Sequence, residues 1–380
     1  MRIGFLSHLD ANLYLFRLPI MRRLVERGDE VFAIAPRGPY WDAFVKEGIR
    51  PVDYAVDRGS LNPVKELRAV DGIYRAIKPL RLDILHTFTA KPNIYGTFAG
   101  RKAGIPVIYN LVEGLGSFYI DDNLKSRLVR GVQESLYRMA FKRSDLCVFV
   151  NRDDPEYMLR RGLITPEKVK IIRSVGVDTR LFSMDAVETQ RLARWRERLS
   201  PRGVPVVLMV ARAIWHKGIR EFYEAAQRLE QKAEFVLVGG TDTGNPSCAD
   251  AAFLHAGSVR WLGELPAEEM AAITAACDLY VLPSYREGVP RTLLEAASMG
   301  KALVATDVVG CREVVEHGVN GLLVPPRDAA ALADAIDRLL GDRSLRERMG
   351  EASRKLALED FDIEGIVEQY LPLYGISNVL

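Results

Sequence analysis

Short apolar runs rich in β-branched residues recur along this chain with helix-length stretches between them, and halfway along the alternation starts over. Few folds accept such a pattern: it is that of parallel strands joined by crossover helices, here built twice. The first series predicts strands at Arg2–Leu6, Glu30–Ala35, Asp83–His86, Pro106–Val112, Asp145–Val150 and Val169–Ile172. The second predicts Val206–Val210, Glu234–Val238, Val259–Leu262, Asp278–Leu282, Ala302–Ala305 and Gly321–Val324. Between them, Ser174 to Gly203 carries turn signals at Gly176 and Pro201-Arg202-Gly203 and reads as the connection between lobes. The expected fold is therefore α/β, with two Rossmann-like doubly wound domains facing across a cleft. The N-terminal domain is placed at 1–185 and the C-terminal domain at 186–364, and a C-terminal helix at about 365–380 is expected to pack back on the first. Sheets of this kind bind ligands at the carboxyl ends of their strands.

Composition agrees with two globular domains: the chain has 380 residues, 48% of them hydrophobic and 27% charged. No stretch approaches the ~20 apolar residues that span a bilayer. The start, Met1 to His8, turns polar too early for a signal peptide, so a cytoplasmic location is expected. Cys147, Cys248, Cys277 and Cys311 show no paired spacing, which argues against a disulfide framework or a zinc site. The net charge of +2 hides an asymmetry: residues 1–185 hold 30 Lys and Arg against 22 Asp and Glu, and the remainder holds 22 against 28. The basic half suits an anionic lipid surface or a phosphate-bearing substrate.

Two familiar nucleotide motifs are missing. Gly114-Leu115-Gly116 lacks the third glycine of a dinucleotide fingerprint, and Gly300-Lys301 has no glycine five positions earlier and is followed by Ala302. The most specific segment is instead Ser284-Tyr285-Arg286-Glu287-Gly288-Val289-Pro290-Arg291-Thr292-Leu293-Leu294-Glu295-Ala296, directly after a predicted strand. Gly288 permits close backbone approach and Pro290 suits a first helical turn, so Gly288 and Val289 lie where a helix start would meet an anion. Glu287 in the loop and Glu295 in the helix can reach different parts of one elongated ligand. After the strand Val206–Val210, Arg212 and Lys217 stand five residues apart, a fork and a point charge suited to a diphosphate. A third strand end, Phe235 to Val238 followed by Gly239-Gly240, could approach a ribose or base.

These residues resemble the retaining nucleotide-sugar glycosyltransferases of the GT-B fold, specifically glycosyltransferase family 4, with Glu287 and Glu295 carrying the match. The resemblance continues through Gly176-Val177-Asp178 with Phe182 and covers nearly the whole chain. It implies that Arg212 and Lys217 hold the donor diphosphate, that Glu287 contacts the donor sugar and that Glu295 contacts the ribose. A narrower resemblance runs through Leu111 to Asp121, Trp215-His216-Lys217-Gly218 and Asn245-Pro246-Ser247-Cys248-Ala249, and is to transferases of bacterial protein N-glycosylation. It implies transfer of N-acetylgalactosamine, or another N-acetylhexosamine, from a UDP-sugar to undecaprenyl-diphosphate-linked diacetylbacillosamine through an α-1,3 linkage, with no cofactor.

Two departures from the wider family stand in the first half. Ser7 to Asn12 replaces a glycine pair after the first strand, and Glu113 stands where many members have a histidine. Glu113 and Gly114 at a strand's carboxyl end are candidates for a donor-sugar or acceptor contact, as are His8 and His86; Lys91 and Asn93 are weaker ones. Leu124 to Arg143 sets Lys125, Arg127, Arg130, Arg138, Lys142 and Arg143 against the single acid Glu134, with Leu124, Leu128, Val132, Leu136 and Met139 at helical spacing. It reads as a basic amphipathic helix suited to the cytoplasmic face of the inner membrane. No nucleic-acid recognition pattern accompanies the charge. Asp360-Phe361-Asp362 spells a metal-binding DxD, yet its place between helices suits a cap, and Arg212 and Lys217 make a metal unnecessary, so none is expected. The rival functions are a transferase with another lipid-linked or soluble acceptor, a UDP-sugar epimerase, and a non-enzymatic nucleotide-sugar binder.

Overall fold

The structure, a computed structural model, describes residues 1–55 and 63–375. It divides into two compact units: Met1–Val175 with the C-terminal residues from Ile366 onward, and Gly176–Gly365. The last five positions of the C-terminal helix expected at 365–380 lie outside the described residues.

The first unit holds a parallel sheet of β1 (Arg2–Leu6), β2 (Glu30–Ile34), β3 (Arg50–Val52), β4 (Ile84–Phe88), β5 (Val107–Val112), β6 (Leu146–Phe149) and β7 (Val169–Ile171). Their order is β3-β2-β1-β4-β5-β6-β7. β3 escapes the sequence reading because it is three residues long with Pro51 at its centre, a composition that fits only a sheet edge. The direction of winding reverses between β1 and β4, where Ile3 lies opposite Ile84 and Leu6 opposite Thr87. Every residue of β4 is buried, as expected of a strand covered on both faces.

The second unit repeats the plan with β8 (Val206–Val210), β9 (Glu234–Val238), β10 (Val259–Trp261), β11 (Leu279–Leu282), β12 (Leu303–Thr306) and β13 (Gly321–Val324). The order is β10-β9-β8-β11-β12-β13, so this sheet reverses between β8 and β11. β8 reads Val-Val-Leu-Met-Val and is buried throughout. Continuous apolar runs of this length are what a doubly covered parallel strand requires, which is why the sequence marks these strands so closely.

The division falls at Val175/Gly176 rather than between 185 and 186. Val177 donates to Phe361 O at 2.8 Å and accepts from Ile363 N at 3.0 Å, and Phe182 is buried in the second core, so 176–185 belongs to the second unit. At the other end, Arg23 pairs with Glu368 at 2.8 Å and Arg27 donates to Tyr374 O at 2.7 Å, which ties the C-terminal residues to the helix Asp10–Glu26. In Asp360-Phe361-Asp362, Phe361 is buried, and the Asp362 carboxylate accepts from Glu364 N and from the Thr179 hydroxyl. These bonds fasten the start of the helix Ile363–Tyr370 to the segment leaving Gly176.

Candidate active site

In the second unit the switch point between β8 and β11 is formed by the loops that leave those strands. After β8 the chain makes a tight turn at Trp215–Lys217 and enters the helix Ile219–Leu229 through Gly218. Gly218 has φ 75°, and a Cβ there would meet Pro283 O at 2.0 Å, so only glycine lets this loop approach the one after β11. The two loops are then joined by backbone, Tyr285 N donating to His216 O at 2.9 Å, and by charge, Lys217 Nζ lying 2.5 Å from Glu287 Oε1. Glu287 N in turn donates to Val309 O at 3.0 Å, which fixes its loop against the segment after β12. Lys217 and Glu287, 70 residues apart in sequence, thus share one partly exposed spot at the carboxyl edge of the sheet.

Pro290 stands at the N-cap and the helix proper begins at Arg291, one residue later than the sequence suggests. Leu293 N and Leu294 N both turn back to Pro290 O, at 3.1 and 3.2 Å, and this end of the helix carries the positive end of its dipole. Glu295 lies in that helix, mostly buried, with Arg291 Nε 3.0 Å from its carboxylate. Burial pushes the Glu295 carboxyl above the usual carboxylate range, and Arg291 opposes the shift.

Arg212 is well exposed and pairs with Asp242 at 2.5 Å, and Asn245 donates to the same carboxylate at 2.9 Å. Sequence reasoning missed Asp242, although an acid three residues after Gly239 on the loop following β9 could have drawn attention. The glycine pair joins the loops after β8 and β9. Gly239, at φ 141°, would place a Cβ 1.9 Å from Ala211 O, and its N–H and C=O are taken by Gly263 O and Trp261 Nε1. Gly240 O accepts from Ala213 N. Gly239 is therefore required for close packing of the β8 and β9 loops, and its backbone groups are spent within the fold.

In the first unit the switch point between β1 and β4 gathers a second polar group. His8, just past β1, is hydrogen-bonded through Nδ1 to Thr89 Oγ1 at 2.6 Å. Thr89 has φ 74°, a left-handed conformation that costs a β-branched residue energy and holds its hydroxyl at the sheet's edge. Glu113, directly after β5 and followed by Gly114 at φ 148°, accepts from Arg17 and from Asn12. His86 is corrected by the structure: it is fully buried among Phe5, Phe88, Tyr109, Tyr370 and Tyr374, with Nδ1 2.5 Å from Tyr374 Oη. Burial, together with the Arg17 charge, holds its pKa well below the ordinary value, so it sits as a neutral histidine within the core. Asn93 is likewise buried, bonding Leu111 O at 2.8 Å, and Lys91 pairs with Glu66 at 2.8 Å.

Two doubly wound parallel units, one presenting paired cations and carboxylates at its switch point, define a GT-B glycosyltransferase, and the chain belongs to that family. Residues 193–356 match the family described as Glycosyl transferases group 1, and residues 17–174 match the Glycosyl transferase 4-like domain. Over the full length of both chains it is 42% identical to the N,N'-diacetylbacillosaminyl-diphospho-undecaprenol alpha-1,3-N-acetylgalactosaminyltransferase of Campylobacter jejuni. A UDP-Gal:alpha-D-GlcNAc-diphosphoundecaprenol alpha-1,3-galactosyltransferase of Escherichia coli is 25% identical, the match covering 89% of this chain and 86% of that one. Among solved structures, HepE of Anabaena in complex with UDP has the same fold, with a TM-score of 0.79 at 21% identity over 99% of this chain and 100% of that one.

Proposed function

We propose that the protein transfers N-acetylgalactosamine, with retention, from its UDP-sugar to undecaprenyl-diphosphate-linked diacetylbacillosamine, forming an α-1,3 linkage during glycan assembly. The observation that carries this reading is the Lys217–Glu287 pair at the switch point of the second sheet, in a chain with full-length identity of 42% to a transferase so named.

The chemistry follows from the charges. Breaking the sugar–phosphate bond builds negative charge on the β-phosphate of the departing UDP, and only interactions that strengthen with that charge lower the barrier. Lys217 and Arg212 supply fixed positive charge there, aided by the helix start at Arg291. Glu287, which holds Lys217 in place, faces the donor sugar, and Glu295 accepts from the ribose hydroxyls. The acceptor hydroxyl attacks from the face that UDP leaves, which preserves the configuration of the anomeric carbon. Gly288 and Val289 let the diphosphate approach the backbone between the two glutamates.

The protein works at an anionic membrane surface, the inner face of the cytoplasmic membrane, where a polyprenyl-linked acceptor resides. Support comes from the helix Leu124–Phe141, which packs through Ser126, Glu134, Tyr137, Ala140 and Phe141 and so turns its other apolar side outward. Leu124, Leu128, Val132 and Met139 are 73%, 64%, 63% and 48% exposed. Lys125 stands beside this stripe on one side and Arg127 and Arg138 on the other, and the helix's one acid, Glu134, is buried against Tyr157 and Arg161. An exposed apolar stripe between basic rows suits the headgroup boundary of an anionic bilayer. Among the described residues no helix is long and apolar enough to cross a membrane.

The test is incubation of the purified protein with UDP-N-acetylgalactosamine and a short polyprenyl-diphosphate-linked diacetylbacillosamine. A lipid product heavier by one N-acetylhexosamine, with matching UDP release, is the expected result. UDP release without a heavier lipid contradicts the acceptor assignment, and neither signal contradicts the donor assignment.

A further inference from the structure

In the helix Asp10–Glu26 the buried positions Leu13, Arg17, Ile20, Met21 and Leu24 form one core-facing stripe. Arg17 occupies a place where this pattern calls for an aliphatic residue. Its side chain is 0% exposed, and its guanidinium carbon lies 4.8 Å from the Phe88 ring centroid. Its Nε and Nη1 have no hydrogen-bond partner, and Nη2 donates to Glu113 Oε1. A cation buried this way is costly, and apolar residues of similar volume commonly serve stability as well or better. The arrangement instead fixes the position of one carboxylate.

We infer that Arg17 is a positioning residue that, with Asn12, presents the Glu113 carboxylate as a fixed hydrogen-bond acceptor for a sugar hydroxyl or acetamido N–H at the carboxyl edge of the first sheet; this rests on the transferase reading above. Glu113 Oε1 is engaged by Arg17, while Oε2 receives only Asn12 Nδ2 at 3.2 Å and keeps acceptor capacity. The Glu113 side chain is 25% exposed, so that capacity faces outward. A carboxylate accepts and does not donate, and it repels phosphate, so its ligand bears O–H or N–H, as the hydroxyls and acetamido nitrogen of a sugar do. Asn12 is itself oriented by Ser7, whose hydroxyl donates to Asn12 Oδ1 at 3.0 Å, so the segment that replaces a glycine pair after β1 joins Arg17 in holding Glu113. Arg17 touches no substrate and acts through Glu113.

The experiment compares wild type, Glu113→Gln, Arg17→Lys and the double variant by steady-state kinetics with each substrate varied, alongside UDP binding by calorimetry. Glu113→Gln preserves shape and removes the charge; Arg17→Lys keeps the charge and loses the planar fork. Each single variant is expected to raise KM for one sugar substrate by about tenfold or more, the weight of one charge-assisted hydrogen bond. UDP affinity should stay as in wild type, and the double variant should be no worse than Glu113→Gln alone. A KM increase confined to the UDP-sugar assigns the contact to the transferred sugar, and one confined to the lipid-linked saccharide assigns it to the acceptor; either supports the inference. Unchanged KM values with a lowered Tm, or effects of Arg17 and Glu113 that simply add, would overturn it in favour of a structural ion pair. If wild type itself neither binds UDP nor transfers sugar, the transferase reading fails first and separately.

Discussion

Lys217 Nζ lies 2.5 Å from Glu287 Oε1, so the cation proposed for the donor diphosphate is already engaged by the carboxylate proposed for the donor sugar. Both side chains are only slightly exposed, which strengthens the pairing relative to one in open water. A diphosphate entering here competes with Glu287 for Lys217. Lys217→Met is therefore expected to weaken UDP binding about tenfold or more, the worth of a charge-assisted contact. Glu287→Gln should leave UDP binding equal or tighter while impairing transfer. Calorimetry with UDP separates the two, and equal losses in both variants would contradict the competition.

Arg212 is held by Asp242 in an exposed pair, and such pairs are worth ~0.2–1 kcal/mol. Release of Arg212 toward a phosphate has to overcome that amount. Asp242→Asn is expected to lower KM for the UDP-sugar by roughly 1.4- to fivefold, the same energy expressed as a ratio. The gain should shrink as salt is raised, because exposed charges are screened. Initial rates at low and at physiological ionic strength check both points.

The outward stripe of the helix Leu124–Phe141 predicts a surface effect without a folding effect. Leu128→Glu and Val132→Glu alter residues that pack against nothing in the first core, so Tm should hold. Each removes an apolar side chain worth ~1.5–3 kcal/mol if fully inserted and adds a repelled charge. Co-sedimentation with vesicles containing anionic lipid should fall by at least about tenfold per substitution. Undiminished binding would remove this helix from the membrane surface.

His86 makes stability depend on pH in a direction fixed by its environment. Burial, aided by Arg17, keeps it neutral in the folded chain, whereas the unfolded chain protonates it as pH falls through 6.5. The unfolded state then binds the extra proton, so the contribution is complete above that value and is lost below it, at about 1.4 kcal/mol per pH unit. Tm measured between pH 7.5 and 5.0, values chosen to bracket roughly the ordinary histidine range, should decline less steeply for His86→Gln than for wild type.

Strands are the most legible part of the sequence because parallel strands buried on both faces must be apolar throughout: the expected bounds of β1, β8, β9 and β13 coincide with the observed ones, and β3, clipped by Pro51, leaves no such run. Lys217 and Glu287 could be placed because each follows such a strand directly. The Arg17–Glu113 pair was beyond reach, since it joins residues 96 positions apart that only the β1-β4-β5 order brings together. A cation on the apolar stripe of a helix was its one visible sign. His86 differs from expectation because β4 runs on to Phe88 instead of ending at His86, which puts the histidine inside a strand covered on both faces, and the C-terminal Tyr370 and Tyr374 that close over it lie nearly 300 residues away.

Sugar leaves UDP for a lipid-linked acceptor at the proposed Lys217–Glu287 site, and the measurement that decides this is the transfer reaction run with wild type, Lys217→Met and Glu287→Gln, the lipid product weighed by mass spectrometry. Wild type should give a product heavier by one N-acetylhexosamine, and Lys217→Met should be slower by roughly two to three orders of magnitude, as for loss of a preorganised electrostatic donor. Glu287→Gln should also be strongly impaired. Product formed by both variants at the wild-type rate would contradict that assignment.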